Sequence, residues 1–499
     1  MRCGYYMSRY LAFDLGAESG RAALGTLEGQ KLTLEELHRF PNTPVRVLSA
    51  LYWDTLRLWQ EIQHGLAVAG RERRIRLDGI GVDTWGVDFA LVGQDGNLIE
   101  NPRHYRDART NGMLEAVFQV VPREEIFAHT GIQFMRINTL YQLYAMRLAG
   151  SRALACARTL LMMPDLFNYW LTGAAKTEVT IASTSQFYNP RLERWAVELL
   201  DRLLLPKTIL PDIVQPGTQL GPVLAEVAES CGLSATPVYA TGCHDTASAV
   251  AAVPASGDSW CYISSGTWSL MGVELDAPVI EARTLALNLT NEMGAGGKTR
   301  LLKNIAGLWL VQECRRAWAL GGKEYSYEEL AAMAGDAPAF SAIVDPDAFL
   351  EPGEMPAKIS AHCSAAGQKP PDSVAATVRT IFEGLALRYR EVLESLEALL
   401  GRKLEIIHIV GGGSRNRILN QFVAEATNRT VIAGPSEATI MGNILIQAMG
   451  AGELGGLSEA REIVRRSTTL ETFTPQRKAD WDAAYGKFLS FFRRNQRPV

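Results

Sequence analysis

The sequence predicts an α/β protein of two similar domains facing a central cleft, and three observations carry that expectation. The length, 499 residues, exceeds what one core fills, because chains tend to divide beyond roughly 250 to 300 residues. Residues 10–28, YLAFDLGAESGRAALGTLE, read as strand, glycine turn and strand. Residues 260–275, WCYISSGTWSLMGVEL, have the same outline, with an apolar run on each side of a small hydroxylated turn at Gly266. Such a turn can aim backbone N–H groups at one point, which suits phosphate, and the Asp14 carboxylate beside it can hold a divalent cation through the ion's water shell. The plain alternative is a hairpin whose acid and glycines serve only the turn. Repetition of the device in both halves favours the first reading.

Composition narrows the class. Hydrophobic residues make up 47% and charged residues 21% of the chain, as in an ordinary soluble protein. A net charge of -4 gives no general attraction to nucleic acid or to an anionic membrane, so neither is an expected partner. Arg71, Arg73, Arg74 and Arg76 read as a solvated connection from a helix to a strand. The seven cysteines form no CxxC pair, so neither a zinc site nor a disulfide framework is indicated, which points to a reducing cytoplasm. No apolar segment approaches the ~20 residues of a membrane span, and MRCGYYMSRY lacks the core of a signal peptide. Met7 is a candidate start, since Met1 to Tyr6 show no pattern.

After the opening hairpin, residues 31–38 predict a third strand. Asp54 then caps a helix carrying Leu56, Trp59, Ile62 and Leu66 on one face, with Gly70 ending it. A strand follows over 79–83, and residues 87–92 with the Gln94-Asp95-Gly96 turn predict a further hairpin. In the second half, a strand over 299–303 precedes a long helix in which Val374, Val378, Ile381, Leu385, Tyr389, Val392, Leu396 and Leu399 are spaced by threes and fours. Residues 404–410 read as a buried strand running into Gly411, Gly412 and Gly413. The small residues of 246–258, with Pro254 and Gly257, suggest a hinge. The domains are then 7–250 and 251–490.

Three stretches carry candidate chemistry. HIVGGGSRN (408–416) stands at the carboxyl end of a buried strand, where α/β folds place ligands, and its flat backbone lets a purine lie against it. A strand-to-helix turn is the bland alternative. The Walker pattern is absent, and the glycines do not fit GxGxxG. GCHDTASAV (242–250) sets an acid and a histidine among small and apolar residues. Charges seldom enter such company without a partner or a function, so Asp245 is either a general base for a substrate hydroxyl or the cap of the helix that follows. A nucleophilic triad lacks its GxSxG elbow, and His-rich metal spacing is absent. GVDTWGVDF (81–89) joins two acids, a tryptophan and glycines at a strand end, the polar and stacking groups a sugar needs, or else a strand pair with surface acids.

These residues carry a resemblance. DLGAESGR (14–21), DTWGVDF (83–89), YRDART (105–110), NTLYQL (138–143), LMMPDLFNYWLTG (161–173), CHDTASAV (243–250), SSGTWSLMG (264–272), LKNIAGLWLVQECRR (302–316) and HIVGGGSRN occur in the order of the FGGY carbohydrate kinases. The chain resembles that family over residues 10–449. The resemblance implies two ribonuclease-H-like domains of the actin, Hsp70 and hexokinase superfamily, and transfer of the ATP γ-phosphoryl group to the 1-hydroxyl of L-rhamnulose in rhamnose degradation. It implies Ala17, Glu18, Ser19, Gly20 and Arg21 as the first phosphate loop, and Asp14 as the residue holding Mg²⁺ through water. Gly86, His244, Asp245, Thr246 and Asn304 would contact the sugar, with Asp245 as base, while Thr267, Gln312 and Gly412 would meet ATP. Ala17-Glu18 departs from the hydroxyl residues that the superfamily favours there as donors to phosphate, and the ionised Glu18 carboxylate would repel phosphate unless it faces Arg21 or solvent. A small-molecule ketose and ATP are the implied partners, for a monomer or homodimer. Kinases for L-fuculose or another ketose, and a non-catalytic sensor, are the rival readings; the pairing of Asp14 with Asp245 speaks against the sensor.

Overall fold

The computed structural model describes residues 7–492. Met1 to Tyr6, on which the question of the start residue turns, lie outside the described residues. The chain divides into two compact units that are not contiguous in sequence. The first takes the described residues up to Pro254, together with Glu274–Leu302 and Ala438–Ser467; the second takes Ala255–Val273, Lys303–Glu437 and the described residues from Thr468 onward.

The first unit is built on strands β1 (Met7–Leu15), β2 (Ser19–Glu28), β3 (Lys31–Pro41), β4 (Gly79–Thr84), β5 (Thr218–Pro222) and β6 (Pro237–Ala240). Their order in the sheet is β5-β6-β4-β1-β2-β3. The first three strands form an antiparallel meander, β4 runs parallel to β1 and β6 parallel to β4, and β5 closes the edge antiparallel. Burial of β4 throughout and of six of the nine residues of β1 fits their central place in the sheet.

A second sheet, most of whose strands belong to the second unit, repeats the plan. Strands β7 (Trp260–Ser265) and β8 (Trp268–Leu275) form the hairpin expected from the sequence. Next come β9 (Thr290–Met293), β10 (Thr299–Ala306), β11 (Ile406–Val410), β12 (Thr430–Ala433) and β13 (Glu471–Phe473). Strand β10 neighbours β8, β11 lies parallel to β7, β12 parallel to β11, and β13 closes the edge antiparallel to β12. The sequence β10-β8-β7-β11-β12-β13 thus copies β3-β2-β1-β4-β6-β5 strand for strand.

Several local expectations change. The helix after Asp54 spans Thr55–Ala67 and continues as a π-helical turn over Val68–Glu72, so Gly70 does not end it. Asp54 is its cap, accepting from Arg57 N. Leu56 is exposed and Leu58 takes its place in the core, because the buried stripe runs through 58, 62 and 66. The strand Phe89–Val92 pairs with Thr159–Met162, and the expected hairpin through Asp95 shrinks to the single bridge Val92–Leu98. Leu404 precedes β11, its N–H bound to Glu397. The first part of the expected hinge is helix Asp245–Ala251, with six of its seven residues buried. The long helix stands as read, over Val374–Leu400. Among the described residues no helix is long and apolar enough to cross a membrane.

Candidate active site

In the first unit, the carboxyl ends of the parallel strands gather the acidic residues. Asp14 and Asp83 are register partners at the ends of β1 and β4, and Thr84 bridges to His244 just before helix Asp245–Ala251. Asp14 also faces Arg21 across the β1–β2 hairpin, and the guanidinium donates to its Oδ2 from Nε at 3.1 Å and from Nη2 at 2.8 Å. Arg21 and Gly20 therefore sit in strand β2, while the turn itself is Gly16 to Ser19, closed by Gly16 N donating to Ser19 O at 3.0 Å. Asn42 braces that turn, donating to Gly16 O and, from its backbone, to Glu18 O. Glu18 is exposed.

Asp83 is one of the two acids of GVDTWGVDF, and the sequence reading gave it no role of its own. It is buried, its Oδ2 accepts from Asn443 Nδ2 at 2.6 Å, and its Oδ1 has no hydrogen-bond partner. Burial and the nearby Asp14 push its carboxyl well above the usual range, against the Asn443 bond. An acid directly after the apolar run of residues 79–82 was the available signal. The other acid of that motif, Asp88, is a hub: Oδ2 accepts from Trp53 Nε1 at 2.6 Å, Trp85 Nε1 at 3.0 Å and Tyr105 N at 3.1 Å, and Oδ1 accepts from Gln142 Nε2 at 2.9 Å. Burial raises it to about 6, against those bonds.

The hub fixes the turn that carries Gly86. A Cβ on Gly86 would stand 3.4 Å from His244 Nε2 and 3.3 Å from Thr184 Cγ2, so the backbone lies close against the histidine and a side chain here would have to press on Thr184. Val87, next in line, has φ +66°, a strained conformation for a β-branched residue. Three bonds hold it there. Its N–H donates to Thr184 Oγ1 at 3.0 Å, and its carbonyl accepts from Thr139 Oγ1 at 2.6 Å and Gln142 Nε2 at 3.3 Å.

Asp245 is the first residue of its helix, and His244 occupies the cap position. Its Oδ1 accepts from Thr246 N at 2.6 Å and Thr246 Oγ1 at 3.2 Å, and lies 3.4 Å from His244 Nε2. No hydrogen bond engages Oδ2 among the described residues. Burial raises its carboxyl above the usual range; His244 opposes this and Asp14 adds to it, while the side chain keeps 30% of its surface exposed. The loop before it is clamped by Glu178 and Thr180. Cys243 N donates to Glu178 Oε2 at 3.1 Å, His244 N donates to Thr180 Oγ1 at 3.1 Å, and Thr180 Oγ1 donates to Glu178 Oε2 at 2.5 Å. The same glutamate caps helix Val179–Ser183.

The second unit brings Thr267 and Gln312 together. Gln312 Nε2 donates to Thr267 Oγ1 at 3.2 Å, and its buried Oε1 has no partner. The turn holding Thr267 is tied to helix Trp309–Leu320 by Trp309 N donating to Thr267 O at 3.1 Å. Of the three glycines after β11, Gly411 has φ +83° and Gly413 presses on Ser265, where a Cβ would collide with Oγ. Gly412 faces open space, and a methyl group added there would meet nothing within 4 Å. Asn304 is half-buried on β10.

The donor set at Asp14 suits a hydrated divalent cation, since both Arg21 contacts go to Oδ2; among the described residues no group of three or more His, Cys, Asp or Glu is arranged to hold an ion directly. A separate groove of about 790 Å³ in the first unit, lined by Leu56, Trp59 and Trp170 among others, includes none of these residues.

The folds and motifs now have a family. Residues 9–252 match the N-terminal domain of the FGGY family of carbohydrate kinases and residues 261–451 its C-terminal domain. The chain belongs to that family and is a carbohydrate kinase. It is 47% identical over 486 residues, 97% of this chain and 99% of the relative, to a rhamnulokinase from Bacteroides thetaiotaomicron. A rhamnulokinase from Oceanobacillus iheyensis is 39% identical over 93% of this chain and 97% of its own. Among solved structures, a ligand-bound xylulose kinase from Lactobacillus acidophilus superposes with a TM-score of 0.80 at 17% identity, covering 98% of both chains. A glycerol kinase from Plasmodium falciparum, solved with ADP, gives 0.76 at 15% identity over 98% of this chain and 97% of that one. The mixed α/β two-domain fold is therefore that of these sugar and glycerol kinases.

Proposed function

We propose that this protein transfers the γ-phosphoryl group of ATP to the 1-hydroxyl of L-rhamnulose, forming L-rhamnulose 1-phosphate in rhamnose degradation. The observation that carries the reading is near-full-length identity of 47% to a rhamnulokinase. The geometry at Asp245 supports it. A base for a substrate hydroxyl needs one carboxylate oxygen held and the other available, and Asp245 offers Oδ1 to Thr246 and Oδ2 to a substrate. Gly86, His244 and Thr246 form the sugar-facing backbone and side chains around it, and Asn304 is assigned to the sugar as well.

The nucleotide role falls to Ala17, Glu18, Ser19, Gly20 and Arg21, through backbone N–H groups and the Arg21 charge, and to Thr267, Gln312 and Gly412. Glu18 is exposed and contributes backbone only. Asp14 is assigned to Mg²⁺ through water. When bound with ATP, that ion neutralises charge on the transferring group. Cytoplasmic location is part of the same reading.

A panel of ketoses with ATP tests it. Each buried hydrogen-bonding group left unpaired by an inverted hydroxyl costs about 1 to 3 kcal/mol, or roughly tenfold to a hundredfold in kcat/KM. L-Rhamnulose should show the highest kcat/KM, L-fuculose and other ketoses less, and glycerol almost none. A higher value for another ketose or for glycerol would sink the substrate assignment.

A further inference from the structure

We infer that Arg300, held in place by Glu292, fixes the His244 ring as the neutral tautomer protonated on Nε2, and that this arrangement selects Oδ2 of Asp245 as the proton-accepting atom. The inference rests on the sugar-site reading of His244 and Asp245.

Arg300, on β10, is a wholly buried arginine behind the histidine. Its Nε donates to Met293 O at 3.0 Å and its Nη2 donates to Glu292 Oε2 at 3.2 Å. Nη2 also lies 3.1 Å from His244 Nδ1. A guanidinium has donors only, so at this distance Nδ1 must accept, and the ring proton of the neutral imidazole is then on Nε2. Glu292 Oε2 stands 3.3 Å from Nδ1 and would draw a proton to that nitrogen. Against it, a proton on Nδ1 would place two donors 3.1 Å apart, both directed at a carboxylate oxygen that Arg300 already engages. The contact between two fixed donors is repulsive, whereas the acceptor arrangement satisfies Nη2 and Nδ1 together, so the Nε2 proton prevails.

The consequence runs to the base. With its proton on Nε2, His244 is a donor 3.4 Å from Asp245 Oδ1. Thr246 already gives Oδ1 two bonds, and the His244 proton stands on the same side of the carboxylate. Hydrogen bonding to Oδ1 makes it the poorer base, and the proton of a substrate hydroxyl goes to Oδ2. The arginine meets a cost that packing alone would not impose. Its Nη1 is buried with no hydrogen-bond partner, and an apolar side chain of similar size would avoid that loss. Arg300 is thus a positioning residue, acting through His244.

Full-length enzyme labelled with 15N-histidine gives the test, by long-range proton–nitrogen correlation at neutral pH, with the His244 signals assigned by their loss in His244→Gln. The wild type should show Nε2 protonated and Nδ1 bare. A ring protonated on Nδ1, or on both nitrogens, overturns the inference without need of any variant. In Arg300→Met a share of Nδ1–H should appear, and kcat should fall roughly tenfold to a hundredfold through misplacement of the base, with a smaller change in the sugar KM. Arg300→Lys, which keeps the charge but not the fork, should recover only part of the rate. A folded Arg300→Met enzyme with wild-type kcat and tautomer would also overturn it. If the wild type showed the Nε2 tautomer yet did not phosphorylate L-rhamnulose, the substrate reading would fall and the tautomer assignment would stand.

Discussion

Asp245, the residue proposed as the base, stands at the start of a helix. Its Oδ1 is tied to Thr246 at the start of a helix, and its Oδ2 is not. Asp245→Asn should keep the Oδ1 bonds and lose the base, lowering kcat by about two or more orders of magnitude while sugar binding measured by calorimetry survives. Turnover within about tenfold of wild type would leave Asp245 with the Thr246 contacts alone. Val87 illustrates strain held in place by neighbours. At φ +66° a Cβ is disfavoured by roughly 1 to 2 kcal/mol, so Val87→Gly should be more stable than Val87→Ala by about 1 kcal/mol, the reverse of the order usual in regular structure. Thermal unfolding of the two variants decides it, and a more stable alanine variant would mean that the turn relaxes out of the left-handed region.

At the scale of elements, helix Val179–Ser183 and the loop before helix Asp245–Ala251 are joined by one buried carboxylate. Glu178 accepts from Thr180 N at 2.8 Å, Ile181 N at 3.2 Å and Cys243 N at 3.1 Å. Burial nevertheless raises it from 4.5 to about 7, outweighing those bonds. An acid whose folded value is raised binds more protons folded than unfolded between about 4.5 and 7, so its contribution to stability is present at low pH and is lost as pH rises through that window. Glu178→Gln does not ionise. The variant's melting temperature relative to wild type should therefore climb from about pH 5 to about pH 7 and level off above, and a difference that stays flat across this range would show that Glu178 does not titrate there.

Across the whole molecule, the candidate residues divide between the units. Asp14, residues 17–21, Gly86 and residues 244–246 belong to the first, and Thr267, Asn304, Gln312 and Gly412 to the second. The glycine run lets the second unit's part be tested alone. A methyl on Gly412 meets nothing within 4 Å, whereas one on Gly413 collides with Ser265. Gly412→Val should fold normally and raise the KM for ATP several-fold with the sugar KM little changed; Gly413→Ala should lower the melting temperature. An unaltered KM for ATP in Gly412→Val would remove that residue from the nucleotide site.

The paired hairpins, the long helix and the strand before Gly411 were legible in the sequence because their causes are local. Alternating or continuous apolar runs set the strand faces, glycines set the turns, and spacings of three and four set the helix. Tyr10 to Glu28 and Trp260 to Leu275 even disclosed the repeat that the two sheets share. The motif order likewise singled out both hairpin turns and CHDT as candidates. What the sequence could not disclose are the pairings that packing alone creates. Asn443 reaches Asp83 from 360 positions away, Glu178 reaches Cys243 from 65, and Arg300 reaches His244 from 56. No periodicity encodes such contacts, since each depends on where a helix or strand of one segment comes to rest against another. For the same reason Leu56 lost its place in the core to Leu58, and the strand Phe89–Val92 found its partner at Thr159–Met162 rather than across the nearest turn.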